Sequence, residues 1–196
     1  MTMTLLFRAP LPSPPTPFAL GRGLTKRTPR GGGGCAGSFR GGIAAMRAVV
    51  QRVSSASVEV EGRTVSEIGR GLLVLVGVHD SDTDSDAGYI CRKVLNMRLF
   101  PNEASGKGWD HNVMQKDYEV LLVSQFTLCG ILKGNKPDFH NAMPPQLAKP
   151  FYESLVERFK LSYKPDSVKD GVFGAKMKVN LVNDGPVTMQ LDSSQS

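Results

Sequence analysis

Two short stretches hold the residue types from which a site could be built. "SQFT" (124–127) closes the apolar run "VLLV" with three polar side chains around one aromatic. Inside a buried strand, Ser124, Gln125 and Thr127 would each cost on the order of a few kcal/mol if left without partners. The run therefore ends either in a polar cap on a sheet or at the mouth of a site. At such a mouth Phe126 can stack on a flat ring, and the hydroxyls and amide can hold sugar, phosphate or ester groups. The second stretch, "NDGPVT" (183–188), interrupts a strand-like alternation of Met177, Val179 and Leu181 that resumes at Val187. Asn, Asp, Gly and Pro each favour turns, so the local sequence predicts a tight hairpin. The alternative is that Gly185-Pro186 presents bare main chain to a ligand, since glycine lets a backbone come close and proline fixes φ.

Other catalytic constellations are missing. His79, His111 and His140 have neither metal-site spacing nor a nucleophile beside them. There is no P-loop, and the glycines of "GRGLLVLVG" do not open a helix as a dinucleotide fingerprint would. "HDSDTDSD" (79–86) lacks the glycine and distal glutamate of a calcium loop and reads as a solvated loop capping a helix, with Asp84 or Ser85 as the cap. No metal or cofactor is expected.

The elements that must position these residues follow from periodicity. "RAVVQRVSSASVEV" (47–60) predicts one or two strands, and Glu61-Gly62 turns them into "RTVSEIG" as a hairpin. "GLLVLVGV" (71–78) is apolar on both parities, as a central or interface strand must be. Ile90, Val94, Leu95 and Met97 keep helical spacing to about residue 98. After a polar loop, "YEVLLVSQFTL" (118–128) predicts a second apolar strand. The loop from Cys129 to Pro145 is long for mere connection, which hints at function. Pro144 and Pro145 suit a first helical turn, and Leu147, Phe151, Leu155 and Phe159 form a core-facing stripe. "VKDGVFG", "KMKVNLV" and "VTMQL" complete the sheet. The fold expected is α+β, a three-layer β/β/α sandwich with curved, mostly antiparallel sheets and two main helices.

The net charge of +6 suggests nucleic acid until it is located. Six of the 24 basic residues and none of the 18 acidic ones precede Met46, so residues 46–196 carry 18 of each sign. Any nucleic-acid partner must be held by local placement of charge. Residues 1–45, with Pro10, Pro12, Pro14, Pro15, Pro17, Pro29 and the run Gly31–Gly34, predict a disordered extension resembling a plastid or mitochondrial transit peptide. A form starting at Met46 is expected to be cytoplasmic. Cys91 and Cys129 lie in apolar surroundings and Cys35 in the tail, without zinc or disulfide spacing, which indicates a reducing compartment. No apolar run approaches the ~18 residues of a membrane span.

Taken together with "MRAVVQRVSSASV" at the start of the body and "GVFGAKMKVNLVNDGPVT" at its end, "SQFTL" and "NDGPVT" closely resemble the D-aminoacyl-tRNA deacylases of the Gly-cisPro type. The resemblance runs from Met46 to about Leu191 and defines a domain of residues 46–193. It implies a homodimer with active sites at the subunit interface, acting on the 3′ end of aminoacyl-tRNA. It further implies a cis Gly185-Pro186 inserted into the partner's pocket, and Ser124, Gln125, Phe126 and Thr127 around the terminal adenosine and ester. Arg52 braces the Gly-Pro loop in that scheme, with Ala148 and Met177 in support.

A wall of Gly and Pro carbonyls would leave no room for an L side chain, excluding by shape without reading any particular residue. Glycine has no side chain to exclude, so glycyl-tRNA is an expected substrate. Thr127 is a possible nucleophile without an obvious base, which favours positioned water and backbone N–H groups near Phe126 and Thr127, with the substrate's 2′-OH assisting by family resemblance. The alternatives are the sister activity on L-alanyl-tRNA, a non-catalytic RNA-binding module, and an esterase using Thr127 or a serine on small substrates.

Overall fold

The computed structural model describes residues 45–195; the expectations for the tail lie outside the described residues. In chain order the elements are β1 (Arg47–Val60), β2 (Arg63–Ile68), β3 (Gly71–Gly77), α1 (Asp84–Asn96), β4 (Phe100–Asn102), β5 (Lys107–His111), β6 (Glu119–Ser124), β7 (Ile131–Lys133), β8 (Lys136–Asp138), α2 (Pro145–Ser162), β9 (Val168–Asp170) and β10 (Met177–Asp192). One sheet runs β10-β1-β3-β6-β9, with β2 also paired to β1. β3–β6 and β6–β9 are parallel, while β1 is antiparallel to β2, β3 and β10.

β3 is apolar on both parities because it faces two cores. Leu72, Val74 and Val76 join Ala48 and Val50 beneath the helices, against Ile90, Val94, Tyr152, Leu155 and Phe159. Leu73 points the other way, with Leu121 and Val123, to meet Val53, Ala56, Val58 and Ile68. β1 thus contributes to both cores. Its register against β10 shifts between Gln51 and Val53 and again between Val53 and Ser55, the kind of irregularity that bends a strand. Beyond the bend, β1 and β2 cover the face opposite the helices. The expected α+β layering and two helices are present.

The hairpin expected at 183–186 is absent. β10 is one strand whose two halves run in the same direction along β1: Met177–Asn183 beside Val60–Val53, and Thr188–Asp192 beside Gln51–Arg47. Asp184, Gly185 and Pro186 bulge from it. The turn chemistry is used to close the bulge, since Asn183 Oδ1 accepts the Val187 N–H at 2.9 Å and Asn183 Nδ2 donates to Thr188 Oγ1 at 3.2 Å.

Smaller departures also have local causes. Both polar loops contain short hairpins, β4–β5 and β7–β8. The cap of α1 is Thr83, one residue before the expected position. Its N–H and hydroxyl both donate to Asp86 Oδ2, at 2.9 and 2.8 Å. On α2 the stripe holds at Leu155 and Phe159, but Leu147 is exposed and the small Ala148, with Tyr152, takes the buried face.

At Gly71 the β3 backbone lies close against β6. A Cβ there would stand 1.9 Å from the Glu119 carbonyl oxygen and 2.8 Å from its carbon. Gly71→Ala should cost about 3 kcal/mol or more, at the upper end of overpacking penalties, measured by denaturant unfolding. Gly108→Ala, where the added atom meets nothing within 4 Å, should be close to neutral.

Candidate active site

The parallel pair β3–β6 delivers "SQFT" to the end of the sheet. Gln125 N–H extends the ladder by one bond to Val76 O at 2.7 Å, and the chain then coils into a 3₁₀ turn, Phe126–Cys129. The apolar strand therefore ends at Ser124 rather than running to Leu128. Gly77 is the reason the turn can lie so close. A Cβ on it would meet Leu128 Cβ at 2.7 Å, Gln125 O at 3.1 Å and Cys129 Sγ at 3.2 Å. As the first N–H groups of the turn, those of Phe126 and Thr127 have no carbonyl within it to bond.

Ser124, Gln125 and Phe126 line a cleft of about 370 Å³, joined by Ala148 and by Phe139, Met143 and Phe173. Phe126 is 58% exposed and packs edge-to-face on Phe139, with centroids 5.0 Å apart. An exposed ring at the mouth of an apolar cleft is a stacking surface for a flat ligand. Thr127 adjoins the cleft without lining it, and its hydroxyl accepts a hydrogen bond from the Gln125 side-chain amide. Nothing in the sequence singles out Phe139 and Phe173. Each is an aromatic in a polar loop, a signal that is weak without the fold.

The cleft wall is tied back to the end of β3. Met143 N–H bonds to Val78 O and Asp80 N–H to Asn141 O, each at 3.0 Å, and His79 forms a β-bridge with Ala142. Asp82 fixes this segment by accepting the His79 N–H at 2.6 Å. The His79 imidazole is occupied with Ser81 and Asp80, at 3.0 and 2.8 Å, and no histidine is paired with Thr127 among the described residues. Ala148 enters the cleft from the first turn of α2, its N–H bonded to Pro144 O at 2.8 Å.

The second stretch lies elsewhere. Gly185 and Pro186 are exposed on the β10 bulge, joined by a cis peptide, with Gly185 at φ 123°. Arg52, opposite the bulge, bonds through Nη1 to Leu99 O at 2.6 Å and through Nε to Asp184 O at 3.3 Å. Its Nε also pairs with Asp184 Oδ2 at 3.1 Å, and the guanidinium lies over the Trp109 ring at 5.9 Å. A Cβ on Gly185 would meet Val187 Cγ2 at 2.7 Å and Arg52 Nη2 at 3.1 Å. None of Gly185, Pro186 and Arg52 lines the cleft. Met177 pairs with Val60 and packs on the second core, also away from that cleft.

The layered α+β architecture is that of a solved structure described as a probable eukaryotic D-amino acid tRNA deacylase. That match has 17% identity and a TM-score of 0.66, covering 76% of this chain and 99% of the other. Sequence comparison is more specific. Residues 49–192 match the D-Tyr-tRNA(Tyr) deacylase family model, and the chain belongs to that family. It is 57% identical over 150 residues to a D-aminoacyl-tRNA deacylase of Dictyostelium discoideum, covering 76% of this chain and 99% of the relative. It is 54% identical over 148 residues to D-aminoacyl-tRNA deacylase 1 of Homo sapiens, covering 76% and 70%. The solved structure of a c-Myc DNA unwinding element binding protein matches with a TM-score of 0.71 and 54% identity, over 74% of this chain and 97% of the other.

Burial pushes the Asp82 carboxyl up to about 7; the His79 N–H opposes this, and the charges of Asp86 and Asp192 add to it. Because the folded value lies above the ordinary ~3.9, the native state holds the proton more tightly. Its stabilisation is complete below pH ~4 and is lost as pH rises through about 7. Asp82→Asn keeps an acceptor for His79 and removes the titration. From pH 5 to 8 the wild type should lose on the order of 1–3 kcal/mol relative to the variant, followed by thermal unfolding. Parallel curves would contradict this.

Proposed function

We propose that the protein hydrolyses the ester of D-aminoacyl-tRNA, releasing free D-amino acid and tRNA as chiral proofreading in translation, and that glycyl-tRNA is also a substrate. The observation that carries this is the "SQF" turn set into an apolar cleft, in a chain of this family. In this reading the terminal adenine stacks on Phe126, and Ser124 and Gln125 hold the ribose and ester. The N–H groups of Phe126 and Thr127 polarise the ester carbonyl. Water adds to the carbonyl carbon, and the tetrahedral intermediate expels the ribose 3′ oxygen, which takes up a proton. The neighbouring 2′-OH of the substrate assists. Thr127 is not a nucleophile here, because its hydroxyl partner is an amide and not a base.

The protein acts as a homodimer in this proposal, each Gly185-Pro186 gating the partner's cleft. Support comes from the edge position of β10, a 16-residue strand paired on one side with β1. It leaves Leu181, Val182 and Met189 exposed beside the bulge. An unpaired strand edge with apolar side chains is a template for association.

Turnover of matched D-tyrosyl-, L-tyrosyl- and L-alanyl-tRNA tests the activity. D substrate alone should be cleaved efficiently; preference for L-alanyl-tRNA would indicate the sister activity, and binding without turnover an RNA-binding module. Phe126→Ala should weaken substrate binding about 5- to 150-fold, the worth of one lost stack, while Thr127→Ala retains substantial turnover. Abolished turnover with unchanged affinity in Thr127→Ala would restore the nucleophile.

The gate has its own test. Gly185→Ala should block turnover, because its Cβ meets Val187 and Arg52 and narrows a wall already in contact with substrate. A heterodimer of one Gly185→Ala and one Phe126→Ala subunit should keep about half the activity, since one site then carries both defects and the other neither. Activity far below half would mean that each subunit gates its own cleft.

A further inference from the structure

The β7–β8 hairpin has no part in the hydrolysis just described. It rises from the long loop after Cys129 and carries its own depression of about 350 Å³, lined by Lys133, Lys136, Pro137, Asp138 and Phe139. Phe139 also lines the main cleft and packs on Phe126, so the two hollows adjoin across a single ring.

Charge separates them. From Gly130 to Lys149 the chain holds three lysines and one acid, Asp138, in a body that is neutral overall. Asp138 is already engaged, pairing with the Lys133 ammonium and accepting from the His140 N–H at 3.0 Å, with His140 Nδ1 at 2.7 Å. Lys136 takes part in no ion pair among the described residues. Beside the lysines, Leu132 is 72% exposed, which supplies an apolar surface next to a positive one.

We infer that this depression receives the single-stranded nucleotides that precede the terminal adenosine of the tRNA. Their phosphates meet Lys136 and Lys133, and a ribose or base face rests on Leu132. The inference rests on the reading of the main cleft as the site of that adenosine and its ester. From there the RNA strand passes over Phe139 onto the hairpin. Lysine ammoniums bind phosphates as point charges and read no sequence, which suits a tail shared by all tRNAs. The neutral body then needs no general field for RNA, because the basic charge stands where the strand leaves the cleft.

The test compares two substrates in the full-length protein: a D-aminoacyl-tRNA, and D-aminoacyl-adenosine, which has the ester and the adenosine but no upstream phosphate. The double variant Lys133→Gln, Lys136→Gln should lose about 10-fold or more in kcat/KM on the tRNA through KM, with kcat unchanged. It should match the wild type on D-aminoacyl-adenosine. The slope of log(kcat/KM) against log salt should shrink by about 0.7 to 1.4. Lys136 accounts for one single-strand phosphate contact at ~0.7, and Lys133, whose charge is shared with Asp138, for up to as much again. Lys133→Arg, Lys136→Arg should restore both the rate and the slope. Equal losses on both substrates, or an unchanged rate and salt slope on the tRNA, would overturn the inference while leaving the cleft reading intact. A wild-type protein inert on both substrates would sink the cleft reading, and this inference with it.

Discussion

One strand has to serve two hydrophobic cores on opposite sides of a sheet, and the rest of the structure follows from how it does so. β1 places Ala48 and Val50 beneath the helices, then Ala56 and Val58 in the second core. Strand side chains alternate strictly, so a change of core requires a break in register, and the break falls at Gln51–Ser55. Arg52 sits in that break. It keeps its pairing with Leu72 on β3 but has no partner on β10, where the facing chain bulges out as Asp184-Gly185-Pro186. The same irregularity thus bends the sheet into two layers, frees an arginine and pushes bare main chain to the surface. Arg52 then ties the bulge to Leu99 and Asp184.

The cleft at the other end of the sheet depends on backbone proximity more than on reactive side chains. Gly77 lets the Phe126–Cys129 turn press against β3, and the wall opposite is held by main-chain bonds to Val78 and Asp80. Burial raises the Cys129 thiol to about 11, so this sulfur at the end of the turn is an inert packing group. An activated ester asks mainly for orientation and for donors aimed at the developing oxyanion, both of which a rigid backbone can supply without a charged dyad.

Much of this was legible in the sequence where one local rule applied. The two-sided apolar run of β3, the β1–β2 turn at Glu61-Gly62 and the late half of the α2 stripe each follow from periodicity or turn chemistry alone. That Ser124, Gln125 and Phe126 line a cleft was legible because polar groups closing an apolar run need a reason to be there. Asn183-Asp184-Gly185-Pro186 misled because the same residues that reverse a chain also close a bulge, and only pairing with β1 separates the two outcomes. Leu147 failed for a related cause: Ala148 and Tyr152 pack better against the sheet than periodicity alone could say. Phe139 and Phe173 come to line one cleft only in three dimensions, and no spacing rule links the residue after β8 to the loop before β10.

The pairing of β1 with β10 joins the first strand of the body to its last, with Arg47 opposite Asp192 and the Ser193 N–H bonded to Met46 O at 3.0 Å. On the ribosome, β1 emerges early and can find β2 and β3, yet one flank stays bare until nearly the whole chain has been made. Contacts of such long sequence separation form late and slowly. During that interval the nascent chain carries an unsatisfied strand edge, the kind of surface chaperones shield and aggregates recruit. The bulge residues, lying in the final strand, are therefore among the last to be set, and a chain cut short before them would hold the turn at Phe126–Cys129 but not the main-chain bulge.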